Sequence, residues 1–337
     1  YTGWYTLSLH DALPIYRFRD LLPQVAAQAT ARGTTCSVQC PELTFTATGI
    51  YGLGTGDTPT LSLLPNNFEA LPATVDSLPA AVSRAGKRAV LFGESVWLDL
   101  FGQHLQRGVE ERDQGPFSQH PIWGAADGFR RALAEQTCEL CIWHEPQFDK
   151  LGHRYGIFGR VYEDYAHQVD ERLSDMIRHS GPETTWLITS DHGMTDAGNH
   201  GGAQPASRAS FLAAWGPGIE HGSCPSRLEQ RQLAALTSVL LGAPIPFSAA
   251  SDVPDVLDGL DEPAREQLRR ESEAQRLRLA ERLQSQRDGQ SAIPPSSRAQ
   301  AEATIAGAHE ESSRGLLLLS LVPLAAAGLL RREAWQK

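Results

Sequence analysis

The sequence predicts an α/β fold, an open and mostly parallel sheet with helices on both faces. Two observations carry that prediction. Four short apolar runs, Arg88–Phe92, Leu140–Trp143, Thr185–Thr189 and Phe211–Trp215, are each of strand length and bounded by glycine or acidic loop residues. Between them, Phe68–Ala85, Ala125–Gln136 and Arg160–His179 repeat apolar residues at i, i+3 and i+4 with polar residues opposite, the pattern of a helix laid on a core. Strands that alternate with helices imply parallel βαβ units.

Composition narrows the function classes. Lys plus Arg is 30 and Asp plus Glu is 40, a net charge of −10, which argues against a nucleic-acid binder with a basic face. With 41% hydrophobic and 21% charged residues the chain has material for a sizeable core, and is neither a wholly disordered chain nor a multi-span membrane protein. Five scattered cysteines do not make a disulfide-built scaffold. Cys138 and Cys141 read as simple core cysteines, and Cys36 with Cys40 is a candidate disulfide outside the cytosol.

The ends divide from the middle. Tyr1–Ile15 reads as a sequencing scar that lies outside the fold, leaving a globular domain over residues 16–260. Residues 261–290, rich in Glu, Arg, Gln and Leu, predict one long solvated helix, and 291–314 a polar linker. Gly315–Leu330 then runs without a charge and is followed by Arg331 and Arg332. At 1.5 Å per residue the run covers roughly 24 Å, and the flanking arginines mark the cytoplasmic side, so it reads as a C-terminal transmembrane anchor with the globular domain outside the cytoplasm. A basic tail, residues 331–337, closes the chain.

In open α/β sheets the chemistry gathers at the carboxyl ends of strands. After the strand ending at Thr189 come Asp191-His192-Gly193-Met194 and, eight residues beyond the first histidine, His200 in Asn199-His200-Gly201-Gly202. A hard carboxylate oxygen beside an imidazole nitrogen suits zinc. Gly193 lets the chain turn, and Gly201–Gly202 allow close backbone approach to an ion or phosphate. The strand at Leu140–Trp143 leads into Asp149 and His153, four apart on a short loop and able to converge on one cation. His144, Glu145, Glu94 and Asp196 lie near these motifs as supporting or solvent-facing groups rather than ligands. A third element, Leu43-Thr44-Phe45-Thr46-Ala47-Thr48-Gly49, puts hydroxyls at a helix start, where one of them is placed to act as a nucleophile or to cap the helix.

Taken together these motifs resemble the alkaline phosphatase superfamily, in its type I phosphodiesterase and nucleotide pyrophosphatase branch, with the nearest likeness to the catalytic domain of the GPI ethanolamine phosphate transferases. Thr46, ten residues before Gly56 of Thr55-Gly56, fills the place of that family's nucleophilic threonine, whereas Thr44 and Thr48 do not. Asp149 to His153 matches Asp-x-x-Gly-His, Asp191 to Met194 matches Asp-His-Gly-Met, and Gly198 to Gly202 matches Gly-x-His-Gly-Gly. Phe92-Gly93-Glu94-Ser95-Val96-Trp97 with Leu100-Phe101 is similar to a further motif of the transferases.

The resemblance implies an alkaline-phosphatase-like sheet and two divalent metal ions, zinc by preference, about 4 Å apart. One ion would be held by Asp149, His153 and His200, the other by Asp191, His192 and a further Asp at the end of the first strand. Asp11 falls at a suitable interval, but it lies within the expected scar and counts there as a chance match. The implied reaction is in-line attack of Thr46 on a phosphodiester of a lipid, glycan or nucleotide. A phospho-threonine forms and is resolved by water in a phosphodiesterase or by an alcohol in a phosphoethanolamine-type transferase. The competing reading is a catalytically degenerate module that binds phosphorylated glycan or lipid. A sulfatase would require a Cys-x-Pro-x-Arg setting that the Thr46 region lacks.

Overall fold

A computed structural model describes residues 4–10, 17–63, 72–109, 123–224, 227–249, 253–257 and helical positions between 263 and 277. The strands are β1 (Trp4–His10), β2 (Gly33–Gln39), β3 (Ala89–Gly93), β4 (Gln106–Arg107), β5 (Leu140–Glu145), β6 (Thr184–Thr189), β7 (Ala209–Trp215), β8 (Gly222–Ser223) and β9 (Leu228–Glu229). The helices are α1 (Phe18–Leu21), α2 (Pro23–Arg32), α3 (Thr46–Thr55), α4 (Leu78–Arg84), α5 (Val96–Phe101), α6 (Trp123–Glu135), α7 (Gln147–Tyr155), α8 (Arg160–His179) and α9 (Gln232–Leu240). One sheet runs β4-β3-β5-β1-β6-β7-β2-β8, with β9 also paired to β2.

The central strands are parallel, and β5 and β6 are buried on both faces, which is why they read as unbroken apolar runs. Alternate residues feed two cores. Trp143, Trp186, Phe211 and Trp215 pack with Phe129, Phe148 and Tyr162 on one face, whereas Ile142, Leu187 and Leu212 pack with Ile50, Trp97 and Leu236 on the other. Helices therefore cover both faces, as the sequence predicts. Asp170 of α8 is buried and accepts the backbone N–H groups of Gln24 and Val25, satisfying donors that the first turn of α2 cannot bond internally.

Four expectations are corrected. Trp4–His10, expected outside the fold with the rest of Tyr1–Ile15, forms β1 between β5 and β6 in the middle of the sheet. Its sequence alternates Tyr5, Leu7, Leu9 with Thr6, Ser8, His10, the period of a strand, instead of the continuous apolar run usual in a central parallel strand. The helix expected over Phe68–Ala85 begins only at Leu78, where Ser77 Oγ accepts the Ala80 N–H and Pro79 stands in the first turn. A proline ring deeper in a helix clashes with the preceding turn, so the helix starts there.

Phe211–Trp215 is a strand as expected but lies antiparallel to β6, because no helix intervenes to carry the chain back. The cysteines pair as Cys36–Cys224 and Cys138–Cys141. Cys40 is free and buried, and burial pushes its thiol up.

Tyr1–Arg276 makes one compact unit and Leu277–Lys337 a second, of which Leu277 alone is described, as helical. Within 261–290 the described positions are helical. Among the described residues no helix is long and apolar enough to cross a membrane, and the expected linker, anchor Gly315–Leu330, basic tail and Asp11 lie outside the described residues.

Candidate metal centre and nucleophile

Strands β1, β2, β3, β5 and β6 run in one direction, so their carboxyl ends share one edge of the sheet. The sequence candidates come from three of those ends. Past β5 the chain enters α7, which carries Asp149 and His153 one helical turn apart on a single face; the expected short loop is this helix. Past β6 come Asp191 and His192, both fully buried. The segment between β6 and β7 brings back His200, and the segment after β2 leads to Thr46, the first residue of α3.

Asp149, His153 and His200 converge: one ligand atom from each lies within 4.8 Å of the others. His153 Nε2 and His200 Nε2 are 2.9 Å apart, and His200 Nε2 is 3.0 Å from Asp149 Oδ1. His153 Nε2 is 3.4 Å from Asp149 Oδ2. The tautomer of His200 follows from its other nitrogen. Nδ1 lies 2.6 Å from the Thr44 carbonyl oxygen, which can only accept, so Nδ1 donates. In the neutral ring Nε2 then offers a lone pair towards a carboxylate oxygen and a second imidazole. Asp149 Oδ1, buried, accepts no hydrogen bond of good geometry in this position. Donors facing one another in this way call for a cation or extra protons between them, and a carboxylate with two imidazoles is a zinc-type ligand set. The residues fit a metal.

The electrostatics agree. Burial raises the Asp149 carboxyl, but the facing imidazoles of His153 and His200 outweigh it and hold the group well below the usual carboxylate range. Asp149 raises His153 against a smaller effect of burial. Burial lowers His200, and Asp149 together with the Thr44 carbonyl more than offsets this, leaving it raised.

Asp191 and His192 repeat the device. His192 Nδ1 donates to the Gly193 carbonyl at 3.0 Å, and Nε2 is 3.3 Å from Asp191 Oδ2, while Asp191 Oδ1 accepts the His192 backbone N–H. The His192 and His200 rings stack with centroids 4.0 Å apart, so the two ligand groups adjoin.

Thr46 is half-buried in the first turn of α3. Its hydroxyl neighbours are committed elsewhere. Thr48 Oγ1 accepts the Phe45 N–H and donates to the Leu43 carbonyl, capping the helix, and Thr44 is buried against the His200 loop. Gly49 backs directly onto the Asp191 carbonyl, where a Cβ would approach to 2.5 Å, so α3 is pressed against the end of β6. Gly198, at φ +78°, leaves no room for a side chain over the Gly152 carbonyl, which brings the His200 segment down onto α7.

Of the supporting residues, His144 and Glu145 are fully buried, not solvent-facing, and Glu145 Oε1 accepts the Gln147 N–H at the start of α7. Asp196 is exposed and Glu94 partly buried. Sequence reasoning missed Gln230, whose Nε2 donates to the Asp191 carbonyl, and the Thr44 carbonyl that orients His200.

Residues 90–213 match the family model for type I phosphodiesterase / nucleotide pyrophosphatase, a span that contains all five candidate ligands and begins after Thr46. The fold is of the alkaline-phosphatase type. It is similar to that of human ectonucleotide pyrophosphatase / phosphodiesterase 5, with a TM-score of 0.60 at 13% identity over 76% of this chain and 100% of that one. In sequence the chain resembles the mouse GPI ethanolamine phosphate transferase 3 catalytic subunit, 26% identical over 215 residues, covering 62% of this chain and 20% of the other. GPI ethanolamine phosphate transferase 3 of Schizosaccharomyces pombe is 27% identical over 213 residues, covering 60% and 23%. The chain thus spans about a fifth of the length of the curated relatives it matches.

Proposed function

We propose that the chain is a metal-dependent phosphodiesterase or phosphoethanolamine-type phosphotransferase that works through a phospho-threonine on Thr46. The observation that carries this reading is the convergence of Asp149, His153 and His200, with the Nδ1 of His200 committed to a carbonyl so that Nε2 faces the other two. Those three residues would hold one divalent cation and Asp191 with His192 a second, zinc by the chemistry of the donors. Bound there, the cations supply Lewis-acid stabilisation of the charged phosphoryl oxygens and favour the ionised hydroxyl.

The chain's own residues supply the rest. Thr46 begins α3, after the strand β2 whose carboxyl end shares the sheet edge with the candidate ligands, which supports its hydroxyl as the nucleophile. Thr46 Oγ attacks phosphorus, the bond to the departing alcohol breaks on the opposite side, and that alcohol leaves with a proton. Water, or an acceptor hydroxyl of a lipid or glycan, then takes the phosphoryl group from Thr46 and restores the hydroxyl. A further carboxylate for Asp191 and His192 has a candidate in Asp11, which follows the last residue of β1 in the chain. The similarity to GPI ethanolamine phosphate transferases favours a phosphodiester substrate over a simple monoester. Two disulfides support a place outside the cytoplasm, where thiols oxidise. Gly315–Leu330 is the proposed membrane anchor.

The test is Thr46→Ala, assayed with an aryl phosphodiester. Turnover falls to background while the zinc content of the protein is unchanged. Undiminished turnover with bound zinc contradicts the nucleophile assignment.

A further inference from the structure

Thr44 is 1% exposed and makes three contacts with one short segment. Its carbonyl oxygen accepts from His200 Nδ1 at 2.6 Å, its Oγ1 accepts the Gly201 N–H at 2.8 Å, and the same Oγ1 donates to the Gly202 carbonyl at 2.9 Å. Both hydrogen bonds of that hydroxyl go to the backbone of two consecutive residues, 157 and 158 positions away. Phe45 follows, with its ring 6.4 Å from the His200 ring in an edge-on arrangement, and Gly201, at φ +107°, lies so close that a Cβ would stand 3.0 Å from the Phe45 ring. The next residue is Thr46. One residue of chain, Phe45, therefore separates a latch on the proposed ligand His200 from the hydroxyl read as the nucleophile.

We infer that Thr44 is a positioning residue that couples His200 to Thr46, so that the loop orienting the metal ligand and the first turn of α3 are held as one unit. The inference rests on the proposed roles of His200 and Thr46. The carbonyl contact selects the His200 tautomer that turns Nε2 toward Asp149 and His153. The hydroxyl contacts fix the loop behind that ring, and the backbone of Phe45 carries the constraint into α3. A residue that keeps the carbonyl but lacks the hydroxyl leaves the partly buried Gly201 N–H and Gly202 carbonyl without those partners. The ring anchor then remains while the coupling goes.

The experiment compares the wild type, Thr44→Val and Thr44→Ser by amide hydrogen exchange without metal, by zinc affinity in competition with a chelator, and by kinetics on an aryl phosphodiester. Valine preserves the β-branched shape, and serine restores the hydroxyl. In the metal-free proteins, exchange at Gly201–Gly202 and at Thr46–Gly49 rises together in Thr44→Val and returns toward wild type in Thr44→Ser. Zinc affinity changes by less than about tenfold in the valine variant, because the carbonyl partner of His200 is kept, whereas kcat falls while KM stays within about twofold. Exchange that rises at the loop but not at α3, or a serine variant as impaired as valine, overturns the coupling. If valine prevents folding, wild-type exchange alone decides: added zinc slows Thr46–Gly49 together with Gly201–Gly202 if the coupling holds, and slows only the loop if it does not. A wild type that binds no divalent metal overturns the functional reading instead, and the metal-free exchange comparison then judges the latch separately.

Discussion

Asp149 and His153 stand on a helix, and the His153 side chain is 45% exposed; Asp191 and His192 occupy consecutive positions beyond a central strand and are fully buried. The first pair gains its third member, His200, from a segment some fifty residues on. The second pair has its backbone, its histidine tautomer and its carboxylate fixed within three residues by Gly193 and by Asp191 itself. An assembled, half-open ligand set suits an ion that must meet substrate. A buried, locally built pair gives rigidity, but with only two protein ligands it needs another to complete a closed shell. His200 bridges the two by stacking on His192 while reaching Asp149 and His153.

The largest effect should therefore come from His200→Ala, which removes the shared member. Losing a direct ligand exceeds the 10–100-fold typical of an outer partner, so zinc affinity should fall by more than about a hundredfold and turnover should disappear. Chelator competition measures the first and a phosphodiester assay the second. Retained affinity would mean that Asp149 and His153 bind without it. Asp191→Asn should separate the two groups. Turnover falls by more than about tenfold, while the zinc held at Asp149, His153 and His200 survives, as read by elemental analysis of the dialysed protein. Loss of all metal would show that the buried pair holds up the open one.

Acid should produce the smallest and most graded effect. His153 and His200 are both raised from 6.5 by Asp149, so in the metal-free protein they keep their protons to higher pH and zinc must displace them. Affinity should weaken roughly tenfold or more between about pH 8 and about pH 6, as followed by competition titration. The sign for stability is opposite. Groups raised on folding stabilise the metal-free protein fully below the unfolded value of 6.5, and that contribution is lost as pH rises through their folded values. A metal-free protein that gains thermal stability from about pH 6 to about pH 8 would contradict the ion-pair geometry.

What the sequence made legible follows a physical rule: signals confined to one local segment were readable, and those that depend on distant partners were not. Asp191-His192 announces itself because a buried apolar strand ends two residues before it, and α8 because its apolar spacing runs unbroken from Arg160 to His179. Thr46 is separable from Thr44 and Thr48 in the sequence only by its interval to Gly56, and the hydroxyls of those other two are bonded to backbone in the structure. The Thr44–His200 contact uses a backbone carbonyl and leaves no mark in the side-chain pattern. Cys36 and Cys224 are 188 residues apart, a pairing that only the sheet topology creates, since β8 lies beside β2. The β1 strand was hidden by an alternating sequence where a central strand ordinarily runs apolar throughout.

The most direct measurement is anomalous X-ray scattering at the zinc edge from crystals of the protein grown with zinc. The account predicts a peak about 2.0–2.2 Å from a carboxylate oxygen of Asp149 and from ring nitrogens of both His153 and His200. No peak there, with zinc absent or bound only at other residues, would contradict it.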